Sequence, residues 1–186
     1  MKQNRTSDYI NYDEVMKTAG LLSKNPKTEL FAHYLIIAVN TGLRCSDILQ
    51  LTWEKLREPK VEIEEKKTKK YKKFSINEEI HEIIKPNFKG SPFLTNRGTV
   101  ITIQYLNRAL KKIFANEIKA GLNISSHTFR KSFGRKVFEN HGESDYILIK
   151  LSKIFNHSDV ATTRTYLGIT QEEIDDIYLT INSNRK

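Results

Sequence analysis

The chain has 186 residues, 38% of them hydrophobic, which suffices for a single ordinary core. Its 31 Lys and Arg outnumber 22 Asp and Glu, and the net charge of +9 points to an acidic polymer as partner, nucleic acid ahead of a membrane surface. One cysteine, Cys45, excludes an intrachain disulfide and a cysteine-clustered zinc site. No apolar run approaches the length of a transmembrane helix and no signal-peptide core is present, so a soluble, cytoplasmic protein without membrane association is expected.

Residues 1–11 are polar and expected to fray, and residues 12–186 read as one domain. Asp13 is placed to cap a helix carrying Val15, Met16, Ala19 and Leu22, ended by Asn25-Pro26. From Thr28 to Val39 a broad apolar face of Leu30, Phe31, Tyr34, Leu35, Ala38 and Val39 requires deep burial, and Thr41-Gly42 stops that helix. Ser46 is read as the cap of a short helix through Trp53, with Arg44 in the turn before it. Val61, Ile63 and Glu65 alternate with Glu62 and Glu64, and Phe74 and Ile76 alternate beyond the lysines, which predicts a two-stranded hairpin. Its tip, 66–73, holds six lysines, the composition of a solvated edge or of a phosphate-contacting loop.

Asn77 opens a helix with Ile80, Ile83 and Ile84, stopped by Pro86, and Phe93-Leu94 is a short strand or buried turn. Thr102 to Ala120 is read as one long helix, with Leu106, Leu110, Ile113 and Phe114 inward and Arg108, Lys111 and Lys112 offered to a DNA backbone. Ser126 is placed to cap a helix from His127 to Asn140. His127 and Arg130 share one face of it, apart from an apolar stripe of Phe129, Phe133 and Val137. Ser144 is read as the cap of a helix with Ile147, Leu148, Leu151 and Ile154, which delivers His157, and Ser158 as the cap of the segment bearing Tyr166. A last helix starts at Thr170, with a Glu173 capping box, an Ile169/Ile174 staple and a stripe of Ile174, Ile177, Tyr178 and Ile181. The fold class is α+β, mainly α-helical with a small antiparallel sheet.

Each polar residue alone has an ordinary structural account, but together they form an ordered set. Arg44 follows Thr41-Gly42-Leu43; then come Lys67-Thr68, His127-Thr128-Phe129-Arg130, His157 and Tyr166. This series resembles the catalytic domain of the tyrosine recombinases, the phage-integrase family, from about residue 12 to about residue 178. The chain departs from the family pattern at Phe155-Asn156-His157, where Leu-Gly-His is usual; Asn tolerates the left-handed conformation that glycine supplies there. The resemblance also implies that the family's amino-terminal core-binding domain is absent here.

The residues supply what phosphodiester cleavage needs. Arg44 and Arg130 are permanently charged forks that match phosphate oxygens. Tyr166 is a candidate nucleophile that needs a base and a positive field, and His127 is the candidate base. The resemblance implies that His157 contacts the phosphate or orients the tyrosine, and that Lys67 protonates the departing 5′ oxygen, with Lys66 and Lys69 close enough to share the assignment. It further implies metal-independent cleavage and rejoining of double-stranded DNA through a 3′-phosphotyrosine, no cofactor, and a homotetramer on DNA formed from a monomer. Lys66, Lys69 and Lys70 join Arg108, Lys111 and Lys112 as candidate DNA contacts. Asp47 matches a supporting acidic position, and equally a carboxylate favoured by the helix dipole. The final helix packs on a neighbouring protomer or on its own domain. Two other functions fit the same residues: a relaxing enzyme like a type IB topoisomerase, and an inert basic DNA-binding module.

Overall fold

The computed structural model describes residues 6–169 as two compact units that divide in sequence between Lys136 and Val137. The first holds α1 (Tyr12–Leu22), α2 (Glu29–Thr41), α3 (Cys45–Ile48), α4 (Trp53–Leu56), β1 (Val61–Glu64), β2 (Tyr71–Phe74), α5 (Glu78–Ile83), α6 (Ile103–Ile113), α7 (Ala115–Lys119) and the start of α8 (Ser126–Asn140). The second holds the end of α8, then α9 (Asp145–Phe155) and α10 (Val160–Leu167). The fold is mainly helical with one antiparallel hairpin, as expected from the sequence. Among the described residues no helix is long and apolar enough to cross a membrane.

Helix α2 is the centre of the first unit because its sequence leaves no polar face: Phe31 to Val39 are all buried, which marks a core helix rather than an amphipathic surface one. It packs against α1, α3 and α5. Tyr34 of α2 meets Phe129 of α8 edge to face with centroids 6.2 Å apart, and Phe129 meets Phe114 at 5.2 Å. This aromatic chain fixes the start of α8 to the core, and each such pair adds about 0.5–1.5 kcal/mol beyond area burial. The hairpin pairs Val61 with Phe74 and Ile63 with Lys72, so the inner face carries Val61, Ile63 and, beyond the strand end, Glu65.

Several boundaries differ from the sequence reading. Residues 8–10 are tied down instead of frayed: Asp8 and Asn123 exchange hydrogen bonds, and the Ile10 N–H donates to Ser132 Oγ at 3.1 Å. Helix α1 is capped by Asn11, whose Oδ1 accepts from the Asp13 N–H, with Asp13 in the first turn. The helix expected from Ser46 through Trp53 is two short ones, because Arg44 is the N-cap of α3 and Thr52 caps α4. Residues 71–73, assigned to the tip, belong to β2. The long helix expected to reach Ala120 breaks at Phe114, whose burial continues the apolar period while its backbone leaves helical geometry. Ser126 lies inside α8, and Ser125 Oγ accepts from the His127 N–H in its place. Ser144 holds its cap position without a side-chain bond to α9, and Asp159, not Ser158, caps α10. The features expected from Thr170 onward lie outside the described residues.

Candidate active site

Gly42 is the hub of the site in the first unit. It ends α2 with φ +59°, and its N–H donates to Ala38 O. A Cβ at this position would lie 2.3 Å from Phe133 Cδ1, so both backbone conformation and space require glycine. Its carbonyl accepts a 2.6 Å hydrogen bond from Arg130 Nη1, which anchors a guanidinium that is only 3% exposed. Two residues onward, Arg44 leaves the same turn in extended conformation at the head of α3.

The hairpin presents its charges from the other side. Glu65, at the inner position that the alternation of β1 dictates, is fully buried and pairs with Arg44 Nη1 at 2.8 Å. Thr68 Oγ1 donates to the same Glu65 oxygen at 2.6 Å. Asp47, also fully buried, accepts from the Lys66 N–H at 2.9 Å and so fastens the hairpin to α3. Backbone bonds from Glu65 N–H to Lys70 O and from Lys69 N–H to Glu65 O close the loop, with Lys69 left-handed at φ +57°.

The cations gathered here act on their neighbours. His127 keeps solvent exposure, yet its pKa falls below the ordinary 6.5, first from partial desolvation and then from Arg130, Lys67, Arg44 and Lys131. Its imidazole is neutral at physiological pH, the state that accepts a proton. Lys72 is pushed down to about 8, first by burial and then by Arg130, with Glu65 and Asp47 opposing and Arg44 adding to the fall.

In the second unit, Asn156 adopts the left-handed conformation at φ 52°, ending α9 as the sequence led one to expect. His157 follows, its Nδ1 2.9 Å from Thr163 Oγ1. Tyr166, half-buried on α10, stands edge to face with both His157, centroids 5.2 Å apart, and Phe155 at 5.4 Å. An ion pair between Arg164 and Asp145 joins α10 to α9.

The structure therefore gathers Arg44, Lys67, His127 and Arg130 in the first unit and His157 with Tyr166 in the second. Asp47 acts on the hairpin backbone, a support the helix-dipole account does not contain. Lys66, Lys69 and Lys70 are exposed on the loop, while Arg108, Lys111 and Lys112 border a groove with Phe31 and Tyr105. Sequence reasoning missed Glu65 and Lys72. The signal was available: period-two alternation puts both on the inner face, where a charge needs a partner.

A mixed helical fold here gathers two anchored guanidiniums, a histidine of lowered pKa and lysines, a cluster whose charge suits an anion. The sequence pattern of the phage integrase family matches residues 9–173, and the chain belongs to that family. It is 32% identical over 160 residues to the probable integrase/recombinase YoeC of Bacillus subtilis (strain 168), covering 82% of this chain and 83% of that protein. Among solved structures it is similar to the Tn1549 transposon integrase in complex with a circular intermediate DNA. There the TM-score is 0.66 at 15% identity, over 89% of this chain and 63% of that one, less than two thirds of its length. It is likewise similar to the catalytic domain of bacteriophage HP1 integrase, with TM-score 0.59 and 17% identity over 97% and 99% of the two chains.

Proposed function

We propose that the chain is the catalytic part of a site-specific DNA recombinase or integrase that cuts and rejoins strands through a 3′-phosphotyrosine at Tyr166. The observation that carries this is the pair of anchored guanidiniums set around Gly42, with neutral His127 beside them. Arg44 and Arg130 neutralise the non-bridging oxygens of the scissile phosphate in the transition state, where fixed donors are worth most. His127 takes the tyrosine proton, His157 orients the nucleophile or contacts the phosphate, and Lys67 protonates the departing 5′ oxygen. Because the phosphotyrosine keeps the energy of the broken bond, a 5′-hydroxyl reverses the step and reseals the strand without ATP. The guanidiniums supply the charge that a metal would otherwise provide, so no cofactor is needed.

The partner is double-stranded DNA, with Lys66, Lys69, Lys70, Arg108, Lys111 and Lys112 contributing backbone contacts. The protein acts in the cytoplasm, as a monomer when free and a homotetramer on DNA. The Tn1549 integrase and similar recombinases solved with DNA support this partner class.

The test is a nicked duplex that traps the covalent intermediate, incubated with concentrated protein in excess chelator. Wild type should yield an adduct whose mass maps to Tyr166, and Tyr166→Phe none, while folding and DNA binding persist. Equal adduct from both proteins would remove Tyr166 from the mechanism, and cleavage that requires magnesium would remove the metal-free assignment.

A further inference from the structure

We propose that Thr68 is a positioning residue of this site: clamped to the buried carboxylate of Glu65, it holds the adjacent Lys67 in register with Arg44. The hydrogen bonds of the hairpin loop carry the argument. Lys67 is exposed, and stands between two residues that are each tied to a fully buried carboxylate. On one side the Lys66 N–H donates to Asp47 Oδ1 at 2.9 Å, and on the other Thr68 Oγ1 donates to Glu65 Oε2 at 2.6 Å. The same Glu65 oxygen lies 2.8 Å from Arg44 Nη1, and Asp47 belongs to α3, the helix that Arg44 caps. Thr68 Oγ1 also accepts from the Lys70 N–H at 3.4 Å, so one hydroxyl joins both limbs of the loop.

The composition of this loop works against order. Residues 66–73 include six lysines, whose like charges repel and whose long side chains lose much freedom when fixed. Neutralising Arg44 accounts for the carboxylate of Glu65 but not for the threonine bonded to it, because a hydroxyl carries no charge to balance. What the hydroxyl adds is a fixed distance along the chain from Arg44 to the residue beside Lys67. Lys67 in turn acts on His127, so its ammonium belongs to the cluster to which the loop is fastened. The inference rests on the strand-cleaving function proposed above, in which Lys67 is the acid. There the Tyr166 oxygen bonds phosphorus and its proton passes to His127. The P–O5′ bond breaks, and O5′ departs with the electron pair and takes a proton from the Lys67 ammonium. An acid acts only within hydrogen-bond reach of the leaving atom. Loss of the Thr68 clamp therefore slows that proton transfer while every charge stays in place.

The test replaces the leaving atom. A nicked duplex carries either oxygen or sulfur at the 5′ bridging position of the phosphate that wild type cuts, and single-turnover adduct formation by the full chain is timed on both. A thiol ionises at about 8.5, so sulfur departs as a thiolate and needs no proton. The sulfur-to-oxygen rate ratio thus reports proton delivery, and because both rates are taken on one protein it is insensitive to the fraction folded. Lys67→Met should raise that ratio by about 10²–10⁴-fold over wild type. Thr68→Val keeps the shape and loses the hydroxyl; it should raise the ratio by roughly tenfold to a hundredfold, the cost of a misplaced group, with DNA affinity unchanged. Thr68→Ser should restore the wild-type ratio. A wild-type ratio in Thr68→Val, or a ratio raised as far in Thr68→Ser as in Thr68→Val, overturns the proposal. A wild-type ratio in Lys67→Met removes Lys67 as the acid, and this proposal with it, while leaving strand cleavage in place. No adduct from wild type on either duplex overturns the strand-cleaving reading itself.

Discussion

The proposed mechanism calls for arginine at positions 44 and 130 for its shape as well as its charge. Arg130→Lys keeps the positive charge but loses the planar fork that bonds Gly42 O and, in the proposed mechanism, a phosphate oxygen. Strand cleavage should fall by orders of magnitude, with about 2.7–4 kcal/mol a typical loss for one oxyanion donor, while the melting temperature changes far less. Single-turnover adduct formation checks it. As the proposed base, His127 should set the acid limb of the reaction. A base must be neutral, and its lowered pKa extends the neutral form below 6.5. The cleavage rate should therefore rise with pH through a value under 6.5 and then level off. His127→Asn should lose that limb together with most of the rate, and an unchanged acid limb in the variant would assign it to another group.

At the scale of elements, the turn after α2 and the hairpin loop hold the site. Gly42→Ala meets two obstacles, a left-handed backbone and Phe133 at 2.3 Å from the new methyl. The cost should be about 1–2 kcal/mol for the backbone and about 1–3 kcal/mol for overpacking. Adding Phe133→Leu should recover the second contribution only, which thermal melts of the single and double variants would separate. Glu65→Ala leaves Arg44 facing a vacated pocket and should destabilise by about 3–5 kcal/mol, more than any substitution of an exposed tip lysine. Comparable melting of Glu65→Ala and Lys70→Ala would show that the ion pair does not hold the hairpin. These two elements differ in how far the sequence disclosed them. Thr-Gly-Leu-Arg states its turn outright, and Asn156 announces a left-handed cap. The hairpin was visible through its alternation, yet Glu65 and Lys72 were hidden in a run of like residues whose composition looks like solvated surface. The break at Phe114 was illegible because its ring continues the apolar period of α6 even as the backbone departs from it.

For the molecule as a whole, the charge of +9 sets the terms of association with DNA. Binding should weaken linearly on a log-log salt plot with a slope of about −0.9 per phosphate neutralised, and Lys111→Ala and Lys112→Ala together should reduce that slope by about 1.8 if both touch phosphates. An unchanged slope would assign these lysines to solvent. The order of motifs names the arginines, histidines, lysine and tyrosine proposed for the site but not Glu65 or Lys72, and what sequence could not give is which of them share a unit, because that depends on contacts between distant residues, such as the bond from Arg130 to Gly42 across 88 positions. That bond has one more implication, for chain length. Since the Gly42 carbonyl positions one arginine and its peptide continues two residues to the other, the spacing of the pair is measured from a single atom group. Inserting one residue between Gly42 and Arg44 would displace one guanidinium from the other by up to about 3.8 Å. An insertion in the loop between α5 and α6 would leave that spacing untouched. Drift in length is thus tolerable along the surface connections of this protein and intolerable across three consecutive residues that are, to inspection, only a turn.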